Sequence, residues 1–153
     1  KAWILSKAPT EFPYFISDNP VTMQNLNDYG PFGNLGLAVK GIEIYFPISK
    51  EYSLGMICNT YQENIIQILS RKKYLLEGKL INIDLIKKLE KLQYAFVSGK
   101  SIDNHEENVV NKNSLQVIHS SRFVYSSNGN FDLAKQMIDE NSDLRKPPQL
   151  VVR

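Results

Sequence analysis

Phe15-Ile16-Ser17-Asp18-Asn19-Pro20-Val21 is the stretch whose reading decides the fold. Residues 13–16 are apolar or aromatic, and Ser-Asp-Asn-Pro follows them. A short apolar run closed by turn-forming residues reads as a strand. Pro20 keeps Asn19 out of the helical region. Asp and Asn side chains close turns onto the backbone that follows them. The stretch is therefore a buried strand that ends in a stiff polar corner.

Upstream, Ala2-Trp3-Ile4-Leu5-Ser6 is a second short β-forming run, bounded by Lys7 and Pro9. Residues 2–6 and 14–17 are expected to pair. Downstream, residues 22–41 read as loop, with four glycines between positions 30 and 41. A loop of roughly 20 residues is uncommon in a compact domain, and is functional, mobile or an insertion without a role. Its Gly36-x-x-x-x-Gly41 spacing is no phosphate loop, because no Lys-Ser/Thr follows and no helix opens there.

Alternating apolar positions predict strands over residues 42–48 and 53–58, joined as a hairpin, with Cys58 a packed thiol. Thr60-Tyr61-Gln62-Glu63 has the form of a capping box ahead of a helix over 61–76. A second helix starts at Asn82 or Asp84 and closes at Gly99. A third covers 107–119, with Val110, Leu115, Val117 and Ile118 as its apolar side. Residues 122–125 form a strand, and Asn130 caps a last helix over 131–140. The fold class is α+β: a small, mainly antiparallel sheet of four or five strands against three or four helices. One domain spans 1–145, and 146–153 form a tail.

Composition removes several function classes. At 153 residues the chain can bury a real core. A net charge of +2 does not support nucleic-acid binding, and the lysines around Glu90 read as a solvated helix face. No apolar run reaches the ~18 residues that span a bilayer. A single cysteine forms no internal disulfide, which fits a reducing, cytoplasmic location. The chain starts mid-strand at Lys1-Ala2-Trp3, so it is expected to be a C-terminal fragment whose partner elements include a preceding N-terminal region.

Motifs for chemistry are sparse. His105 beside Glu106 and Glu107 lacks a second ligand set with metal spacing, and His119 suits a helix C-terminus. No metal site and no cofactor is indicated, and no nucleophile elbow or catalytic triad is present. Asp18 and Glu43 are two strand carboxylates of the kind metal-dependent nucleases use, but Tyr45 stands where a lysine would be expected. The candidate polar cluster is Ser17, Asp18 and Asn19 with Asn113 and Arg122. If their strands share a sheet, Asp18 and Arg122 form a charge-assisted pair with Asn113 bridging, either as a site or as a polar staple.

Taken in order, Ser17-Asp18-Asn19-Pro20-Val21, Gly41-Ile42-Glu43-Ile44-Tyr45-Phe46-Pro47-Ile48-Ser49, and Asn113 followed by Ser120-Ser121-Arg122-Phe123-Val124-Tyr125 resemble the C-terminal part of an uncharacterised bacterial family, DUF4238. The resemblance runs from Trp3 to about Tyr125, with Ile48 where that family has Leu. It implies a helical N-terminal half with a His-Tyr-x-Pro-type motif, absent from this chain, and no assigned activity. It places Ser17, Asp18, Asn19, Pro20, Asn113 and Arg122 together. Three functions follow as expectations: a binding or catalytic site at the polar corner completed by the N-terminal half, a metal-dependent hydrolase or nuclease, or a protein-interaction module contacting through residues 22–41. Whether the protein is an enzyme is left open.

Overall fold

The computed structural model describes residues 1–25, 27 and 35–145. Its elements run β1 (Ala2–Lys7), β2 (Ile16–Ser17), β3 (Thr22–Asn25), β4 (Ile42–Pro47), β5 (Tyr52–Ile57), α1 (Asn59–Ser70), α2 (Lys72–Glu77), α3 (Ile83–Ser98), β6 (Ile102–Asp103), α4 (Glu106–His119), β7 (Val124–Tyr125) and α5 (Asp132–Glu140). A short 3-10 turn, Ser142–Arg145, follows. Helices beside a mixed five-stranded sheet and a two-stranded ribbon make the fold α+β.

The five-stranded sheet has the order β3-β4-β5-β1-β6. Its hairpin is as expected: Ile48 and Ser49 donate to the Tyr52 carbonyl across a short turn. The Ser49 hydroxyl accepts the Glu51 and Tyr52 N–H groups at the tip. β3 and β6 were not expected. Thr-Met-Gln-Asn and Ile-Asp carry too few β-forming residues to stand out, and their neighbours in the sheet define them.

The expected pairing of residues 2–6 with 14–17 is not made. β1 lies between β5 and β6, whereas β2 pairs antiparallel with β7 in a separate ribbon, Ile16 opposite Tyr125 and Ser17 opposite Val124. Part of the expected loop over 22–41 is β3; residues 26 and 28–34, and the tail 146–153, lie outside the described residues.

The chain divides into two compact units. The first holds Lys1–Ser6, Met23–Ile44 and Leu54–Ile102. Ala2, Ile4, Ile42, Ile44, Ile57, Ile65, Ile86 and Ala95 are buried apolar residues of this unit, and α1 packs on α3. Asn82 caps α3, its side chain accepting the Leu85 N–H at 2.8 Å. Gly99 closes α3 at φ 69°, where a side chain would be strained.

The capping box at Thr60 is not formed. α1 begins at Asn59 with Cys58 in the cap position, so Thr60 already sits inside the first turn and its hydroxyl donates to Cys58 Sγ at 3.2 Å. The helix expected over 61–76 is broken at Arg71 (φ −105°, ψ 10°), giving α1 and α2 and making five α-helices among the described residues. Neither Gly nor Pro marks this break, so the apolar periodicity runs straight through it.

The second unit holds Lys7–Thr22, Tyr45–Ser53 and the chain from Asp103. Tyr14 packs with Ala8, Val109 and Phe12. Phe15 packs with Val117 and Ala134, flanked by Val124, Phe131, Leu133 and Met137. The expected cap at Asn130 is displaced by one residue: Phe131 holds the cap position of α5 without a side-chain bond, and Asn130 precedes it, its side-chain oxygen accepting the Asp132 N–H at 2.8 Å.

The starts of α1 and α3 give a contrasting pair of outcomes. Asn82→Ala is expected to cost about 1 kcal/mol of folding free energy through the lost cap. Thr60→Ala is expected to show no cap loss, because Thr60 caps nothing. Urea unfolding of both variants at pH 7 measures the difference, and equal losses would contradict the assignment of the caps.

Candidate functional site

Residues 13–20 leave the turn after β1 as extended chain, and extended chain presents N–H and C=O groups alternately to its two edges. One edge of β2 is covered by β7, and the pairing continues past the ribbon, where Asp18 N–H donates to the Phe123 carbonyl at 3.1 Å. The other edge meets no strand. Two side-chain amides of α4 cover it instead. Asn113 donates from Nδ2 to the Pro13 carbonyl at 3.0 Å and accepts the Phe15 N–H at 2.8 Å. Gln116 accepts both the N–H and the hydroxyl of Ser17 at 2.9 Å, and donates from Nε2 to the Pro20 carbonyl at 2.8 Å.

The geometry follows from the periods of the two elements. Residues 15 and 17 are separated by about 6.8 Å along a strand, and positions 113 and 116 by about 4.5 Å along a helix. The extra methylene of Gln116 takes up part of the difference. Both amides are almost completely buried, Gln116 at 2% exposure and Asn113 at 5%. The buried face of α4 is therefore Val109, Asn113, Gln116 and Val117, a 4-3-1 spacing. This corrects the expected apolar side: of Val110, Leu115, Val117 and Ile118 only Val117 is buried, and Ile118 is exposed. Counting only apolar residues misplaces the face, because its two central positions are amides.

The corner itself docks on the chain that leaves α4. Asp18 Oδ1 accepts the Ser121 N–H at 2.9 Å and Oδ2 accepts the Arg122 N–H at 2.8 Å. Asn19 donates from Nδ2 to the His119 carbonyl at 3.0 Å and to the Ser121 hydroxyl at 2.8 Å. So the last turn of α4, which has orphan carbonyls, gains a donor. Partial desolvation of the Asp18 carboxyl opposes ionisation, but hydrogen bonds from backbone N–H groups, chiefly of Ser121 and Arg122, outweigh it and hold the pKa below the ordinary carboxylate value.

Four of the five sequence candidates thus meet in one network. The fifth, Arg122, enters through its main chain: the Asp18 carboxylate is bound by the Arg122 N–H and makes no ion pair with its guanidinium. Asn113 does not bridge Asp18 to Arg122; it serves Pro13 and Phe15. Gln116 was missed, and the signal that would have found it is its i+3 position from Asn113.

Glu43 lies in the first unit. Its carboxylate accepts Gln24 Nε2 at 2.7 Å and is hydrogen-bonded by Tyr61, whose pKa is raised by burial and by that carboxylate. Cys58, half-buried at the start of α1, has its thiol pulled down to about 7, first by the Thr60 hydroxyl and then by N–H groups of Gly41 and Thr60. Among the described residues no three His, Cys, Asp or Glu side chains are grouped to hold a metal ion. Among them, too, no helix is long and apolar enough to cross a membrane.

Residues 1–130 match the family described as protein of unknown function (DUF4238). The chain belongs to this family. The DUF4238 match takes in the corner, the hairpin, α4 and the β2–β7 ribbon. No curated protein and no solved structure matches the chain.

Beside the network, in the same unit, is a cleft of about 160 Å³ with an apolar floor of Phe12, Phe15, Val109, Val110 and Leu133. Glu11, Asn128, Asn130 and Asp132 stand at its rim. Asn113 lines the cleft while its amide is spent on the strand edge.

Two outcomes test the network. Gln116→Leu fits the space but strands the buried Ser17 N–H and Pro20 carbonyl, and is expected to destabilise the protein by about 2–3 kcal/mol in urea unfolding. A loss below about 0.5 kcal/mol would mean that water replaces the amide. Asp18 gives a pH signature. Its folded pKa is depressed, so its contribution is present above the unfolded value, about 3.9, and disappears as pH falls through the lower folded value. Asp18→Asn is expected to be less stable than the parent at pH 7 and to approach it at pH 3. Urea midpoints across that range measure this, and a constant gap would contradict it.

Proposed function

We propose that this protein is a small-molecule-binding module, with the Ser17-Asp18-Asn19-Pro20 corner as the clamp that shapes it and the cleft beside α4 as its ligand seat. One observation carries this reading: the Asp18 carboxylate, the Ser17 hydroxyl and the amides of Asn113 and Gln116 are all engaged within the unit. A group already bound to backbone N–H or C=O is poorly placed to activate a substrate. What those bonds achieve is placement. They fix Phe15 in the cleft wall, and the same helix face carries Val109 into the floor.

The seat has the form expected of a binding site, a concave apolar surface with a few polar groups around it. The two-carboxylate hydrolase gains no support from the geometry, since Asp18 and Glu43 each spend their oxygens on donors of their own unit.

The test is amide chemical-shift mapping of the protein with a library of small apolar fragments. Shifts are expected to gather on Phe15, Val109, Val110 and Leu133, and to vanish in Val110→Trp, which fills the cleft from a half-buried position. The thermal midpoint of Val110→Trp checks that it folds. Shifts gathered instead on Ile16, Phe123 and Tyr125, the exposed face of the ribbon, or shifts indifferent to Val110→Trp, would overturn the proposal.

A further inference from the structure

A second cavity adjoins the apolar cleft. Pro13 and Asn128 line the cleft and also line this second compartment, of about 260 Å³, in the same unit. The second compartment is polar, with Lys7, Thr10, Lys50, Glu51 and Ser127 around it. The two cavities therefore adjoin, with Pro13 and Asn128 shared between their linings. Asn128 spends its side-chain oxygen on the Ser126 hydroxyl and the Asn130 N–H, at 2.6 and 3.0 Å. Its Nδ2 makes no hydrogen bond to a described residue, and so stands at the junction as a donor.

The charges along this double cleft are of both signs, and the ammonium groups lie at the polar compartment alone. Glu11 and Asp132 lie at the apolar compartment, and Lys7 and Lys50 at the polar one with Glu51. Asp132 has a loose, exposed pairing with Lys135 at 3.6 Å. Glu11, Lys7, Lys50 and Glu51 make no ion pair with any described residue. Three carboxylates and two ammonium groups give no net field for a simple anion, and the two lysines disfavour a simple cation at the polar end. A ligand that carries both charges suits the arrangement. An apolar compartment of about 150 Å³ accepts a benzene-sized group, so a phenyl or branched aliphatic group matches the floor.

We infer that the double cleft takes a small zwitterion with an apolar side group, the chemistry of a free apolar α-amino acid. The side group enters between α4 and α5, the ammonium faces Glu11 and Asp132, and the carboxylate faces Lys7 and Lys50 with Asn128 Nδ2 between them. This rests on the cleft being the ligand seat, and names what the seat selects.

The experiment is isothermal titration of the whole chain with L-phenylalanine, phenethylamine and 3-phenylpropionate, which share the ring and differ in charge. L-Phenylalanine is expected to bind at least tenfold more tightly than either. The Lys7→Ala, Lys50→Ala double variant is expected to remove that advantage over phenethylamine, weakening L-phenylalanine without weakening phenethylamine, and Glu11→Gln to narrow the advantage over 3-phenylpropionate. All three changes are at exposed positions, and thermal midpoints confirm folding. Equal binding of the three probes, or an advantage that survives the double lysine variant, would overturn the inference. If the probes bind equally and Val110→Trp abolishes all of them, the ligand seat stands and only the zwitterion preference falls. If Val110→Trp leaves binding intact, the seat itself falls, and the inference with it.

Discussion

A strand that leaves its sheet carries unpaired N–H and C=O groups on each edge, and burying them without partners costs about 1–3 kcal/mol apiece. Residues 13–17 face this problem, because β2 has a partner strand on one edge only. The second unit solves it with two amides on a helix. Asn113 bonds a carbonyl and an N–H two residues apart, as a neighbouring strand would, and Gln116 repeats the contact one helical turn on. The helix thus acts as the missing strand. Much of the unit hangs on it: Phe15 is held in the cluster with Val117 and Ala134, and Tyr14 in the cluster with Val109.

The same demand explains the composition of the corner. Once the chain turns at Asn19 and Pro20, it reaches the end of α4, where a helix leaves carbonyls and the following segment leaves N–H groups without partners. Asn19 supplies the donor and Asp18 the acceptors. Ser17 is the small residue whose hydroxyl shares the Gln116 oxygen with its own N–H. Pro20 has no N–H to satisfy and offers its carbonyl to Gln116. Each residue type in Ser-Asp-Asn-Pro is accounted for by a bond within the unit.

This sets how much of the chain was legible in its sequence. Turn chemistry is local, so the stiff corner after Phe15, the hairpin around Ser49 and the cap at Asn82 could be read directly, and Asn130 was placed within one residue of the cap of α5. Ser17, Asp18, Asn19 and Asn113 could be picked out as residue types that want hydrogen-bond partners. The partners themselves could not. A carboxylate beside an arginine in sequence logic suggests an ion pair, yet Asp18 takes the Arg122 N–H, a group that every residue but proline carries. Gln116 was invisible for a related reason: on a helix an amide counts as polar, and only the bare edge of β2 gives it cause to face inward. β3 and β6 were missed because sheet neighbours, and not their own residues, make them strands.

The consequence for function is that one side-chain pattern can serve as a scaffold and still decide where a ligand goes. A Ser, an Asp, two Asn and a Gln in close array have the ingredients of a catalytic centre, and their chemistry is consumed in holding backbone. The space that remains is next to them, where Asn113 turns its amide to the strand and leaves its flank on the cleft. There the apolar floor comes from Phe15 and Val109, residues whose positions the clamp dictates. The charges that ring the cleft come from turns and helix starts: Glu11 before the extended segment, Lys50 and Glu51 at the hairpin tip, Asp132 in the first turn of α5. Loosening the clamp would therefore move the floor and leave these charges in place, so on the proposed reading affinity for an apolar side group rests on the buried amides and discrimination by charge on exposed residues. On that reading the lining can change its ligand preference without disturbing the network that holds β2.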